Sequence, residues 1–599
     1  MNFSTIPELY YSVCKKWSNK IAYNYLVGEN WEEITYTDFL IQVECFALGL
    51  MELGIHKGDR IGVISENRLE WLVSVAAISL IGAIDVPLFP NLTSKQEADI
   101  FADCQATAII VSNSYQLNKV LDFKDDISSL RHIIVMNEKI DDSNVYVHRM
   151  SEILQRGSTI KTPEERRSLL QNIRVKLNKE DIVTLIYTSG TTGEPKGVML
   201  THKNLIANGI GSKASIILSD KDEVVSFLPL CHCFERMVSA YVVFAAGATI
   251  TLAPSVETLV PIMQKFQPTF MTVVPKFLDT VKKKIMSAME KESIAKQKIF
   301  NWAINVGSKY VRNKLAGKSN PLVNTQYNLA YKLVLSKLRE KVGKNLVQFI
   351  SGGAALSAET TEFFEMIGIQ CLQGYGLTEA SPVVSVCRLG ENEIGTIGKP
   401  LPNLEIKIAE DGELLIKGDS IMKGYWNNEE ATNDVIDKDG WLYSGDIATM
   451  TERGNLKITD RKKYILVNSG GKNIAPQVIE NVISQSKYIE HCVLIGDNRE
   501  YCTALLTPNY EAIRKLAEGF GIEYNEEEEL LNNKKIIAHI KNDIDYLQKD
   551  FSKFERIRKF QFLSKVFSIE AGELSPKLSV KRHVVEKKYS ELIDLMYGQ

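Results

Sequence analysis

The sequence predicts an α/β fold: a large N-terminal domain of helix-covered sheets closed by a β-rich subdomain, followed by a small α+β C-terminal domain. Three observations carry this. Short β-rich runs, Ala108–Val111, His132–Val135 and Ile182–Tyr187, alternate with helical stretches, the pattern of parallel sheets with helices on their faces. Between Phe349 and Lys417, Gly-rich turns and short strands, Glu405–Ile408 and Glu413–Lys417, flank an Asp411-Gly412 turn. After Asp460-Arg461 the pattern changes to a short β and Gly-Gly segment, a helix over Pro476–Ser484 and a strand over Cys492–Ile495. The domains are accordingly read as 1–459 and 460–599.

The remaining elements follow along the chain. The N-terminal MNFSTIPELYYSVCKKW has no apolar stretch behind a basic start and reads as mature protein. Two apolar stretches require a membrane check: Trp71–Ile84 is too short to span a bilayer, and Met237–Pro254 contains Ser239, Gly247, Thr249 and Thr251. Both read as a buried helix followed by a strand. Near the C-terminus Ile537, Ile540, Ile544, Leu547, Phe551 and Phe554 recur at three and four, which predicts one apolar helix face packed into a core.

Composition excludes several function classes. The 599 residues are 45% apolar, enough for about two to four cored domains. A net charge of -3 gives no bulk basicity for nucleic acid and no acidic excess for disorder. Nine cysteines without a CxxC pair are too sparse for a disulfide framework and fit a reducing compartment, so the cytoplasm is the expected location. One segment departs from this balance. Val281–Lys344 holds 15 Lys and Arg against Glu290, Glu292 and Glu340, a net +12. Ile299, Trp302, Val306 and Tyr310 are expected to share its apolar face. It reads either as a solvated helical excursion or as a peripheral docking element for anionic lipid at the inner membrane face, at about 1 kcal/mol per basic residue near the surface.

The densest chemistry lies in Tyr187-Thr-Ser-Gly-Thr-Thr-Gly-Glu-Pro-Lys-Gly-Val198. Thr188, Ser189, Thr191 and Thr192 supply hydroxyls, Gly190 and Gly193 let backbone amides approach an anion, and Lys196 adds positive charge. The combination suits a polyphosphate, without the GxxxxGK[ST] spacing of the common nucleotide-hydrolase loop. Cys231-His232-Cys233 invites a metal reading, but adjacent ligands rarely share one tetrahedral ion and no second pair lies nearby.

YTSGTTGEPKGV resembles the phosphate loop of the adenylate-forming superfamily of acyl-CoA synthetases, peptide-synthetase adenylation domains and luciferases. Further motifs follow in that family's order. Ser351-Gly352-Gly353-Ala354 resembles its nucleotide-pocket turn, Gln373-Gly-Tyr375-Gly376-Leu-Thr378-Glu379 its adenine and magnesium motif, and Tyr443-Ser-Gly-Asp446 its ribose motif. Asp460-Arg461-Lys-Lys463 and Ser469-Gly470-Gly471-Lys-Asn-Ile474 resemble its hinge and the loop serving the second half-reaction with coenzyme A. Each motif is chemically apt. Tyr375 offers a flat face to adenine, Thr378 a donor to the α-phosphate, and Glu379 the oxygen ligand a hard Mg2+ prefers. Asp446 can accept both ribose hydroxyls in two charge-assisted bonds of about 1.5 to 3 kcal/mol each.

By the same resemblance His232 stands near the acyl-adenylate, Arg461 contributes to nucleotide binding, Lys463 is the hinge, and the C-terminal domain is mobile. Val281–Gly343, with Lys298-Ile-Phe-Asn-Trp-Ala303 and Asn320-Pro-Leu322, looks like the helical segment of long-chain acyl-CoA synthetases. The resemblance therefore implies activation of a long-chain fatty acid by Mg-ATP to an acyl-adenylate, then transfer to coenzyme A. Delivery to a carrier protein is the main alternative, with luciferase-like and purely lipid-binding readings behind it. The chain departs from the family near its end. It reads Leu574-Ser-Pro-Lys-Leu-Ser-Val-Lys-Arg582, with Ser579 where many members carry a lysine that bridges carboxylate and phosphate. Either Lys577 or Lys581 substitutes, or adenylation proceeds without that charge.

Overall fold

Alternating strand and helix segments assemble into two large sheets in the computed structural model, which describes residues 3–137, 146–159, 162–189, 195–470, 472–575 and 579–598. The chain divides into two compact units. The first comprises Met1–Lys407, Leu415–Ser444 and Met450–Lys457; the second comprises Ile408–Leu414, Gly445–Thr449 and Ile458–Gln599.

In the first unit a nine-stranded sheet runs, edge to edge, through Lys399–Pro400, Val383–Val386, Gln370–Gly376, Gln348–Ser351, Phe270–Val273, Glu223–Ser226, Thr249–Leu252, Ile21–Val27 and Asn30–Thr35. An eight-stranded sheet runs through Gly424–Tyr425, Pro195–Thr201, Ile182–Ser189, Ile84–Leu88, Arg60–Ile64, Ala108–Val111, His132–Val135 and Val147–Arg149. Both are parallel in their centres and antiparallel at one or both edges. The expected strands Ala108–Val111 and His132–Val135 form as read. The third runs two residues beyond Tyr187, so Thr188 and Ser189 belong to the strand.

The apolar stretches are core. Every residue of the helix Leu69–Leu80 except Glu70 is buried, as expected of a helix apolar on all sides. Each such aliphatic side chain contributes about 1.5–3 kcal/mol. The second stretch is a π-helix, Arg236–Val243, a form enriched at functional sites. It passes into a short turn of α-helix that Gly247 ends at φ +82° before the strand Thr249–Leu252. Phe244, just past the π-helix, packs its ring 4.8–5.9 Å from those of Tyr10, Tyr23, Tyr36 and Phe39, fixing that end in the core. Among the described residues no helix is long and apolar enough to cross a membrane.

The basic segment is a run of helices joined by short turns: Pro275–Glu290, Ile294–Leu315, Pro321–Ala330, a π-helical turn Tyr331–Leu335 and Ser336–Gly343. Its apolar face is close to the expected one: Val306 lies in the core and Trp302 and Tyr310 pack against it. Phe300, Ala303, Val306, Gly307 and Val311 are buried, whereas Ile299 is half exposed. Tyr310 also stacks on Tyr327 at 3.7 Å.

In the second unit Ile489–Ile495, Cys502–Pro508 and Ile557–Phe562 form a three-stranded sheet. The helix Pro476–Ile483 precedes it, and Ser484 is its C-cap. The helix Lys534–Leu547 buries Ile536, Ile540 and Ile544, and Ile537 and Leu547 of the expected face pack against the same core. Phe551 and Phe554 join the same core from beyond the helix end.

Candidate active site

The strands Ile182–Ser189 and Pro195–Thr201 form an antiparallel hairpin in which Thr188 faces Lys196 and Ser189 faces Pro195. Gly190, Thr191, Thr192 and Gly193, between them, lie outside the described residues. The short strand Gly424–Tyr425 pairs with Val198 and Met199, and the Trp426 N–H donates to the Gly197 carbonyl at 2.7 Å. This pairing seats Tyr425 beside the hairpin. The Lys196 ammonium lies 5.1 Å from the Tyr425 ring centroid, and the Tyr425 hydroxyl donates to Glu379 Oε1 at 2.9 Å. Burial, with the Glu379 charge adding to it, pushes the Tyr425 phenol up, so it stays a donor at neutral pH. Lys196, Tyr425 and Glu379 thus form one chain.

Glu379 sits in a 3-10 turn, Thr378–Ala380, after the strand Gln370–Gly376. That strand turns back at Gly376, where a Cβ would lie 2.0 Å from the Pro382 carbonyl, so only glycine allows the approach. Thr378 is buried with its hydroxyl 3.3 Å from Cys233 Sγ. Tyr375 is half-buried and Gly376 exposed at the strand end. One strand over, Gln348–Ser351 leads into Gly352, Gly353 (φ +84°) and Ala354. A Cβ on Gly352 would meet the Phe234 ring at 3.0 Å. Cys233 and Phe234 therefore join the His232 turn to both expected nucleotide motifs. His232 is half-buried, and its Nδ1 accepts from the Phe234 N–H at 3.1 Å, which places the proton of the neutral ring on Nε2.

The residues fit Mg2+. Glu379 Oε1 is held by Tyr425, while Oε2 has no hydrogen-bond partner among the described residues, an oriented hard oxygen donor. Among the described residues no group of three His, Cys, Asp or Glu could hold a metal. An ion bound through one or two carboxylates plus substrate phosphates requires no such group.

In the second unit Asp446 is buried and Arg461 Nε donates to its Oδ1 at 3.0 Å. Next to it Asp460 accepts the Arg461 N–H at 2.6 Å and keeps Oδ2 buried without a hydrogen-bond partner among the described residues. Burial raises its carboxyl to about 6, against the lowering by that N–H and Arg582. Lys463 lies in the 3-10 turn Lys462–Tyr464. The loop of Ser469 and Gly470 is stapled by Asn468, whose Oδ1 accepts from the N–H groups of Gly470 and Lys472 at 3.0 and 2.9 Å. Gly471 lies outside the described residues. Lys581 caps the helix Arg582–Lys588; its N–H donates to the Glu573 carbonyl at 2.7 Å and its side chain is half-buried. Lys577 lies outside the described residues.

Three residues were not foreseen. Tyr425 carries only an aromatic pair, Tyr425-Trp426, as its signal. Glu235 and Arg236 had a clearer one: two adjacent opposite charges inside an otherwise apolar run.

Residues 11–426 match the AMP-binding enzyme family, and residues 463–599 match the AMP-binding enzyme C-terminal domain. Relatives along nearly the whole chain include long-chain-fatty-acid–CoA ligase FadD15 of Mycobacterium tuberculosis, 31% identical over 97% of this chain and 94% of that one. Long chain acyl-CoA synthetase 7 of Arabidopsis thaliana, peroxisomal, is 30% identical over 96% of this chain and 82% of that one. Among solved structures, the adenylation domain of a carboxylate reductase from Mycobacterium chelonae superposes with a TM-score of 0.77 at 21% identity, over 99% of this chain and 91% of that one. A Mycobacterium tuberculosis fatty acyl CoA synthetase does so with a TM-score of 0.63 at 18% identity, over 98% and 99%. The structural likenesses concern the fold; the sequence matches, laid over the Thr188–Lys196 hairpin and the Thr378-Glu379 turn, show that the chain belongs to the AMP-binding enzyme family.

Proposed function

We propose that the protein activates a long-chain fatty acid with ATP and transfers it to coenzyme A. The fatty carboxylate attacks the α-phosphorus, releasing pyrophosphate; the coenzyme A thiolate then attacks the acyl carbonyl, releasing AMP. The observation that carries this reading is the linked set Lys196, Tyr425, Glu379 and Thr378 in a chain alike, end to end, to enzymes named long-chain ligases. Charge builds on the α-phosphate in the first step, so oriented hydroxyls and cations supply most of the acceleration. Thr188, Ser189, Gly190, Thr191, Thr192, Gly193 and Lys196 take the phosphates. Gly352, Gly353, Ala354, Tyr375 and Gly376 take adenine, Asp446 and Arg461 the ribose, and His232 and Thr378 face the reacting centre. Glu379 would hold Mg2+, which supplies positive charge to the phosphate oxygens when bound.

Lys463 is the proposed hinge, supported by the start of the C-terminal family match at that residue. Ser469, Gly470 and Gly471 serve the thioester step, and Lys581 takes the place of the missing family lysine. The test is pyrophosphate exchange across carboxylic acids of graded chain length: exchange rising to a maximum at long acyl chains is expected, and a preference for short or aromatic acids would defeat the substrate assignment. Free coenzyme A is the acceptor rather than a carrier protein, because the full-length relatives are named CoA ligases.

The basic helical segment docks anionic membrane. Leu322, Leu329 and Leu333 are exposed beside Lys332 and Lys337, so apolar and cationic groups share an outer surface. Binding to phosphatidylglycerol vesicles, weakening as salt rises, is expected; equal binding to phosphatidylcholine vesicles would leave only a solvated helix.

A further inference from the structure

Adjacent residues of opposite charge rarely lie wholly buried in an apolar stretch, yet Glu235 and Arg236 do, immediately after the His232 turn. Their partners lie in different sheets. Glu235 Oε1 accepts from the Ser226 and Ser239 hydroxyls at 2.5 and 2.6 Å, and its Oε2 accepts from Thr272. Ser226 and Thr272 belong to neighbouring strands of the nine-stranded sheet. Arg236 donates from Nη1 and Nη2 to both oxygens of Asp85 at 2.6 and 2.7 Å, and from Nη1 to Thr184 at 3.1 Å. Asp85 and Thr184 face each other on neighbouring strands of the eight-stranded sheet. Thr184 lies on the strand that ends in Thr188 and Ser189.

The other end of the turn is held too. Asn67 donates to the Leu228 carbonyl at 2.7 Å and accepts from the Leu230 N–H at 2.9 Å. Between these anchors lie His232, Cys233 against Thr378, and Phe234 against Gly352.

We infer that Glu235 and Arg236 are positioning residues: together they lock the His232 turn to both sheets and so fix His232 and Thr378 relative to the phosphate-binding hairpin. The inference rests on the adenylation reading above. Three hydroxyls from three elements around one carboxylate are more than packing requires, since an apolar residue of like volume would fill the space without burying a charge. A carboxylate accepting three hydroxyls leaves the turn a single rotational setting, which a reaction with a geometric tolerance well under 1 Å needs.

The test uses the full chain with Glu235→Ala and Glu235→Gln, following fatty-acid-dependent pyrophosphate exchange and thermal melting. Glu235→Ala is expected to lower the exchange kcat by about 100-fold, the scale for an ångström of misplacement, with the KM for ATP changed less than about threefold. Glu235→Gln keeps the shape and most of the bonds and is expected to restore all but about tenfold of the loss. If both variants only melt earlier, with the rate per folded molecule unchanged, the pair is structural and the inference fails. A raised KM at constant kcat overturns it as well. Should the alanine variant not fold, Glu235→Gln and Thr272→Val decide by the same split. Absence of exchange in the parent protein would overturn the adenylation reading and the inference with it; parental exchange with unaffected variants overturns the inference alone.

Discussion

Both units hold dry and half-wet ion pairs, since Arg582 and Glu480 of the second are 13% and 17% exposed and Arg167 over Glu44 in the first 54% and 3%, but the pairs nearest the proposed site residues differ between them. In the first, both members of key pairs are dry: Arg236 and Asp85 are 2% and 0% exposed, Lys119 and Glu97 9% and 0%. In the second, buried carboxylates meet solvent-facing cations: Asp446 is 4% exposed and Arg461 48%, Glu573 4% and Lys588 45%. A dry pair is position-defining, because separating it strands a charge. A half-wet pair is exchangeable, because the cation loses little by turning to water. This matches the proposed division of labour. On that proposal the hairpin and the His232 turn keep one fixed geometry, whereas the solvent-facing Arg461 beside Asp446 is able to adjust as the two take the ribose.

Breaking a dry pair should therefore have the largest effect. Asp85→Ala leaves Arg236 charged and unpaired, and we expect a loss of about 3–5 kcal/mol of first-unit stability in denaturant titrations, nearly independent of salt. A loss below about 1 kcal/mol would show that the pair is not defining.

Acidity should separate the units next. His202 is buried, its Nδ1 accepts the Ile6 N–H at 3.2 Å, and burial lowers its ring to about 4. The unfolded chain takes up a proton near pH 6.5 that the folded ring refuses, so stability is full above that pH and falls as pH drops toward 4, by about 3 kcal/mol. His202→Gln should flatten that slope. Asp460 has the opposite sign. Its carboxyl, raised to about 6, keeps a proton that the unfolded chain has already lost, so stability falls as pH rises from about 4 to 6. Asp460→Asn should raise second-unit melting at pH 7.5, by about 1–2 kcal/mol, and not at pH 4; no gain at pH 7.5 would contradict the burial argument.

The smallest effect belongs to a half-wet pair. Lys588→Ala should cost about 0.5–1 kcal/mol, and less at high salt, since Tyr589 still donates to Glu573 Oε1 at 2.8 Å. A larger, salt-insensitive loss would erase the distinction between dry and half-wet pairs.

How much of this was legible in the sequence depends on the interaction involved. Local periodicity fixed the strands Ala108–Val111 and His132–Val135, and the α/β class followed from it. Motif order placed Thr378 and Glu379 on one turn, and the family with it. Register within a helix was less readable. Ile299 falls off the buried stripe because several apolar residues offer competing faces, and only packing against neighbours chooses among them. Partners far apart in sequence were not readable at all. Tyr425 reaches Glu379 across 46 residues and Asp85 meets Arg236 across 151, and both meetings depend on strand order.

The most direct test of the central claim is a stoichiometric assay of both half-reactions: purified protein with Mg2+, ATP, a long-chain fatty acid and coenzyme A, following pyrophosphate, AMP and thioester together. The account predicts equal amounts of all three, dependent on the acid. Pyrophosphate release without thioester on free coenzyme A, or AMP formation independent of the acid, would contradict it.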